Sequence, residues 1–208
     1  MLAVSFTCVR DKESVLRLNK ELFKFKVRHL MVVEENEVDE FGHGCISRGL
    51  NDNATNGFGG DGSRAKLKMY KAALEYLNEG ETLLDLDSDV SIRSKHLIKS
   101  LECDSNTMKG FCDMGGVPLY KIADREFYYF TGCCKSYSYD LIKNVCESDK
   151  IEYYIDLIAR NKFTPSEDCF FSYLCQAEFN CGIENLQGKY THGKQTKNYK
   201  TKKFDIIS

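Results

Sequence analysis

No apolar run in this 208-residue chain approaches 18 residues, the length at which a helix becomes able to cross a bilayer. The opening residues, Met1-Leu2-Ala3-Val4-Ser5-Phe6-Thr7, have no basic stretch and no long apolar core, so they do not read as a secretory signal. A surplus of one charge is also missing. Lysine and arginine total 29 against 31 acidic residues, and a net charge of −2 gives no reason to expect a nucleic-acid partner. Ten cysteines are present, but no two stand in a C-x-x-C pair, which argues against a zinc knuckle. Cys8 and Cys175 lie in apolar segments, where a free thiol behaves as a small hydrophobe, and the set is expected to be reduced in a cytoplasmic protein. Internal repeats are absent.

What remains is ordinary for one globular domain. Hydrophobic residues make up 42% and charged residues 29%, and a chain of this length buries about 70% of its unfolded surface. The stretch with unusual chemistry is Thr82-Leu83-Leu84-Asp85-Leu86-Asp87-Ser88-Asp89-Val90, an apolar run that ends in three aspartates spaced two apart. In an extended strand Asp85, Asp87 and Asp89 would share one face. Carboxylates crowded in this way repel one another unless a cation lies among them, and hard oxygen ligands favour Mg²⁺, Mn²⁺ or Ca²⁺. A metal and phosphate site at the end of a buried strand is therefore expected.

Along the chain, Leu2 to Val9 reads as a buried strand and Glu13 to Phe25 as an amphipathic helix. Val27 to Val33 reads as a second buried strand, which completes a βαβ unit and implies a parallel sheet. Residues 36 to 62 lose periodicity and read as a long turn-rich loop. Ser63 is expected to cap a helix reaching about Asn78, ended by Gly80. After Val90 a short helix spans about Ile92 to Leu101, and residues 107 to 131 should hold two or three strands, some antiparallel. Tyr137–Glu147 and Ile151–Arg160 read as helices. Thr164-Pro165-Ser166-Glu167 has the form of a capping box before a helix reaching about Glu178. The tail, 187 to 208, is polar with six lysines.

Several chemistries compete for the aspartates. An EF-hand loop starting at Asp85 needs glycine and glutamate where Val90 and His96 stand, so it fails. A haloacid-dehalogenase-type phosphatase would use the first aspartate of a D-x-D as nucleophile, but such enzymes carry it on the first strand. The plainest alternative is that Ser88 or Asp89 caps the next helix.

The pattern Leu83 to Val90 resembles the D-x-D strand of GT-A nucleotide-sugar glycosyltransferases, with Asp87 and Asp89 as the pair. The likeness extends over most of the chain. Thr7-Cys8-Val9-Arg10 ends the first strand, where the family binds the nucleobase. Glu34 and Glu35 close the second, where the family places an acid on base or ribose. Asn56-Gly57-Phe58-Gly59 with Ser63-Arg64-Ala65 resembles the loop and arginine-bearing helix start near the diphosphate. Tyr129-Phe130-Thr131-Gly132-Cys133 is similar to the strand lining the acceptor and donor-sugar pocket, and Pro165-Ser166-Glu167-Asp168 to the Glu-Asp motif opening a late helix. Thr191-His192-Gly193-Lys194 resembles the late histidine, glycine and lysine of some members.

The resemblance implies a GT-A type, Rossmann-like α/β domain over residues 1–208, with a mixed, mostly parallel sheet flanked by helices. It further implies transfer of a hexose or deoxyhexose, such as glucose or rhamnose, from a UDP-sugar to a glycan. Mn²⁺ or Mg²⁺ would sit on Asp87, Asp89 and His192. Thr7, Cys8, Arg10, Glu34, Glu35, Arg64, Asp87 and Lys194 would bind the nucleotide sugar. Asp168 would be catalytic, because Glu167 is accounted for by the capping box. The size, cysteine content and N-terminal half also resemble the first domain of a chlorella-virus multi-domain glycosyltransferase, which would make the chain a piece of a longer protein in host cytoplasm, with its lysine-rich end, about 190–208, a linker. A non-catalytic nucleotide-sugar-binding module is the alternative from another class.

Overall fold

The computed structural model describes residues 1–41, 46–50, 60–112, 120–186, 190–191 and 206–207. Strand β1 (Leu2–Phe6) goes straight into the interior, with Leu2, Ala3 and Val4 fully buried. Helix α1 (Lys12–Lys24) turns Val15, Leu18 and Leu22 inward on one stripe. Strand β2 (Arg28–Glu34) lies parallel to β1 with Val4 opposite Leu30, closing the βαβ unit. A 3₁₀ stretch, Glu35–Phe41, follows.

The expected loop contains a further strand, β3 (Ile46–Leu50), parallel to β2. Its Ser47-Arg48-Gly49 centre carries no apolar alternation, which an edge strand does not require. Gly49 is needed there, since a Cβ would come within 2.6 Å of the Glu35 Cα.

Helix α2 (Gly60–Leu74) begins three residues before Ser63. Ser63 is therefore not its cap; its hydroxyl donates to the Pro165 carbonyl at 2.8 Å and ties α2 to a distant segment. Gly80, at φ +80°, turns the chain into β4 (Thr82–Leu86), whose five residues are all buried.

The short strand β5 (Ser91–Ile92) and helix α3 (Lys95–Ser100) come next. Ser94 caps α3 by accepting from the Leu97 amide at 3.3 Å, so neither Ser88 nor Asp89 is spent on a cap. Strand β6 (Thr107–Cys112) precedes an antiparallel hairpin, β7 (Tyr120–Ile122) and β8 (Arg125–Phe127). Strand β9 (Phe130–Ser138) runs through Tyr137, whose ring is buried, before Ser138 caps α4 (Tyr139–Glu147).

Helix α5 (Ile151–Arg160) falls where its periodicity placed it. Helix α6 (Glu167–Ala177) starts later than the capping-box pattern implied. Its N-cap is Ser166, which makes no side-chain cap bond. Strand β10 (Gly182–Asn185) follows, and β11 (Tyr190–Thr191) and β12 (Ile206–Ile207) lie in the tail. β12 pairs with β5, so the far end of the tail returns to the body.

The principal sheet has the order β10-β6-β9-β4-β1-β2-β3, with β9 alone reversed. One face packs Leu2, Val4, Leu83 and Tyr137 against α2, α4, α5 and α6; the other packs Ala3, Leu84 and Leu86 against α1 and α3. This is the mixed, mostly parallel α/β sheet between helices that the sequence implied. Its topology matters for function. From β1 the chain winds outward through β2 and β3, and α2 then carries it back to β4 on the other side of β1. The carboxyl ends of β1 and β4 are therefore a topological switch point, the place where open α/β sheets bind ligands.

Candidate active site

A cavity of about 390 Å³ opens at that switch point, within the range of small-molecule sites. Phe6, Arg10 and Asp11 line it from the end of β1, and Leu86, Asp87, Ser88 and Asp89 from the end of β4. Gly62, Ala65 and Lys66 enter from α2, and Glu167 from the first turn of α6.

The three aspartates do not form one cluster. Strand β4 ends at Leu86, so the alternation that would have aligned them stops there. Asp85 is 1% exposed and faces the layer beneath α2, where it accepts from the Tyr70 hydroxyl at 2.7 Å and pairs with Lys66 Nζ at 2.9 Å. Asp87 follows the strand at the cavity wall, and Asp89 lies on an exposed turn. Among the described residues no group of three or more acidic, histidine or cysteine ligands gathers. Two carboxylates in one cavity still suit a hard divalent cation, which is usually completed by substrate phosphates and water.

The electrostatics point the same way. Burial pushes the Asp87 carboxyl above its usual range; Lys66 opposes the shift and Asp85 adds to it, leaving Asp87 short of positive charge. Burial disfavours the charge on Lys66, yet Asp85 and then Asp87 outweigh it and hold its pKa above the ordinary lysine value. Lys135 of β9, 1% exposed and directly opposite Asp85, forms an ion pair with Asp168. Burial works against that ammonium as well, and Asp168 more than restores it. Tyr137 places its hydroxyl 3.4 Å from that of Tyr70 and completes this polar layer between the sheet and helices α2 and α6.

The structure brings some of the expected site residues together and separates others. Arg10, Asp87 and Asp89 line one cavity. Thr7 and Cys8 continue from β1 beside it. The Thr7 hydroxyl is buried without a hydrogen-bond partner, and Cys8 Sγ lies 3.5 Å from Asp11 Oδ2. Glu34 ends β2, half-buried, and Glu35 opens the 3₁₀ stretch, exposed; neither lines the cavity.

Arg64 points elsewhere. Its guanidinium spans Glu152 of α5 at 2.8 and 2.5 Å and Asp61 at 2.9 Å. Asp168 adjoins the cavity through its neighbour Glu167, which is a lining residue and not half of a capping box. His192, Lys194, the Asn56–Gly59 loop and the side chains of Thr131–Cys133 lie outside the described residues. The sequence reading missed Lys66, Lys135, Tyr70 and Tyr137. Lys66 stands two residues from Arg64, and the signal was its place on the inward stripe of α2 among Leu67, Met69 and Tyr70.

Neither a protein-family model nor a curated protein matches the sequence. Solved structures do match the fold. An active-site mutant of LgtC superposes with a TM-score of 0.62 at 13% identity, over the whole of this chain and 86% of that one. The galactosyltransferase LgtC bound to donor and acceptor sugar analogues gives 0.61 at 12% identity, with the same coverage. At these identities the likeness is one of fold, and the fold is of GT-A type.

Proposed function

We propose that this chain is a glycosyltransferase that moves a hexose or deoxyhexose from a UDP-sugar to a glycan, using Mn²⁺ or Mg²⁺. The observation that carries the reading is the meeting of Asp87, Asp89 and the Lys66 ammonium in one cavity at the β1/β4 switch point. The fold of the LgtC complex with donor and acceptor sugar analogues supports it. Asp87 and Asp89 would hold the cation, which supplies Lewis-acid stabilisation of the leaving diphosphate. Lys66 adds a fixed positive charge at the same place, and it needs no reorganisation because Asp85 already holds it.

Thr7, Cys8 and Arg10 flank the nucleoside end. The unpartnered Thr7 hydroxyl is one hydrogen-bonding group that a base or ribose would satisfy. Glu34 and Glu35, one strand away, bound that end of the crevice. Asp168, held in place by its ion pair with Lys135, is the group to take up a proton from the acceptor hydroxyl. His192 and Lys194 extend the same proposal from the tail. Residues 1–208 form the catalytic domain, with the lysine-rich stretch from about 190 as its outer margin.

The test is calorimetric titration of UDP with and without Mn²⁺, followed by incubation with UDP-glucose and UDP-rhamnose. Metal-dependent UDP binding with sugar transfer or slow donor hydrolysis is expected. Tight binding that ignores the metal removes the metal assignment. Binding with neither transfer nor hydrolysis makes the chain a nucleotide-sugar-binding module instead.

A further inference from the structure

The two acids assigned to the cation belong to one tight turn. Asp87 opens it where β4 stops, and the Val90 amide closes it by donating to the Asp87 carbonyl at 3.4 Å. Asp87 is fixed by what precedes it, since Leu86 is 1% exposed. Asp89, two residues on, is exposed, so its distance from Asp87 depends on how firmly the turn is held. An exposed turn closed by one long hydrogen bond holds itself weakly.

Helix α1 supplies what the turn lacks, although none of its described residues lines the cavity. Its Leu18 and Leu22 share an apolar cluster with Val90 and Ile92, which brings the helix against the segment that follows the acids. Beside that stripe stand Arg17 and Glu21, four residues apart and therefore on one face. The Arg17 guanidinium donates to the Asp89 carbonyl at 3.1 Å, a bond to the main chain that uses neither carboxylate oxygen. Glu21 accepts from the Ser91 hydroxyl at 2.9 and 3.1 Å, once on each oxygen, and from the Ile92 amide at 2.8 Å. The far edge of the same segment is held too, because β12 pairs with β5 and sets Ile207 opposite Ser91. The chain is thus gripped at Asp89, Ser91 and Ile92.

We infer that Arg17 and Glu21 are positioning residues for the cation site, which fix the Asp87–Val90 turn and so favour a small divalent cation over Ca²⁺. The inference rests on the reading of Asp87 and Asp89 as cation ligands and adds what sets their spacing. Two consequences of a braced turn support it. Ligands already held at one separation bind without first losing conformational freedom, which raises affinity. A fixed separation also discriminates by ion size. Mg²⁺ demands short, regular ligand distances, whereas Ca²⁺ accepts longer and more variable ones, so a loosened turn costs the small ion more. Mn²⁺ serves as the small ion that can be followed directly.

The test follows Mn²⁺ binding in the presence of UDP through the fall of the free-ion EPR signal, against a blank of UDP alone, with Ca²⁺ measured by competition. No turnover is needed. Glu21→Ala should weaken Mn²⁺ by about tenfold and Arg17→Ala by about threefold, the worth of the hydrogen bonds removed, while Ca²⁺ stays within about twofold. Arg17→Lys, which keeps a donor, should recover most of the Mn²⁺ affinity. The metal-free protein gives a second readout: the Val90 and Ile92 amides should exchange faster in Glu21→Ala, while those of β1 keep the wild-type rate. Arg17 is exposed and its alanine variant should unfold at the wild-type urea midpoint, so it carries the test if Glu21→Ala does not fold. Mn²⁺ affinity unchanged in both alanine variants, or Mn²⁺ and Ca²⁺ affinities that fall equally, overturns the inference and leaves the cation reading standing. A wild-type protein that takes up no Mn²⁺ overturns both.

Discussion

Two of the four cations on helix α2, Arg64 and Lys66, meet opposite fates. Arg64 is 42% exposed, clasps Glu152 and Asp61 across the surface and holds α5 against α2. Lys66 is 12% exposed and faces Asp85, itself 1% exposed, at the edge of the cavity. Two residues along a helix amount to a turn of about 200°, enough to separate a structural pair in water from a pair in the protein interior. The difference between them is one of solvation. A surface pair gains little because water competes for both partners, whereas a buried pair makes each partner indispensable to the other.

The sharpest way to break the comparison is to remove each cation in turn. Lys66→Met takes away the ammonium paired with the buried Asp85 and should cost about 3–5 kcal/mol in urea unfolding. Arg64→Met serves as the control on the same helix. Equal losses from the two variants would show that burial does not distinguish them.

A buried titratable group with no opposite charge sharpens the same contrast. His29, on β2, lies 4% exposed with Nε2 3.1 Å from the Ser5 hydroxyl and Nδ1 without a partner. Burial lowers its pKa from 6.5 to about 4, so the folded protein keeps the ring neutral while the unfolded chain protonates it. The unfolded state therefore binds the extra proton between pH 6.5 and about 4. Stability is fully present above pH 6.5 and falls as pH drops through that window, by roughly 3 kcal/mol in all. His29→Gln should flatten this part of the pH–stability curve. An unchanged slope would place the acid sensitivity elsewhere, in the carboxylates of the cavity.

Much of the scaffold could be read before any coordinates. The buried run Leu2–Val9, the stripe of α1 and the apolar run of β2 made a βαβ unit legible, and the end of β4 carried the two acids that reach the cavity. What resisted reading was tertiary in origin. β3 is held by a neighbouring strand and not by its own pattern. Thr164–Glu167 satisfies the letter of a capping box, yet the helix is entered from Ser166 with no side-chain cap bond, and Glu167 lines the cavity. Lys66 and Lys135 looked like any other lysines, because their counter-charges, Asp85 and Asp168, lie 19 and 33 residues away in sequence. Arg64 attracted attention as a cation at a helix start, where the macrodipole calls for an anion. Glu152 and Asp61 supply that anion from within the protein.

The cavity acids should separate activity from stability. Burial raises the pKa of Asp87, so the folded state bears an unfavourable charge there. Asp87→Asn removes that charge with little change of shape. Transfer should fall by about 100-fold or more while the unfolding midpoint holds or rises. A variant with full activity would take Asp87 out of the site. One that unfolds more easily would make it part of the interior network instead.

The smallest effect is expected where the sequence had suggested a large one. Arg64→Ala breaks bonds to two exposed carboxylates, Glu152 being 66% and Asp61 86% exposed. Their guanidinium partner holds its own pKa above the ordinary arginine value, chiefly through the hydrogen bonds to Glu152, but solvent screening returns most of that interaction. A loss of about 0.2–1 kcal/mol is expected, shrinking further in high salt. UDP affinity in the presence of Mn²⁺ should stay within about twofold of wild type, because the side chain is committed to α5 and does not line the cavity. A tenfold weakening of UDP binding, with stability unchanged, would mean that Arg64 releases Glu152 and swings to the diphosphate when substrate arrives. In that case Arg64 and Lys66 would both serve the leaving group, and the solvation contrast between them would hold only until substrate binds.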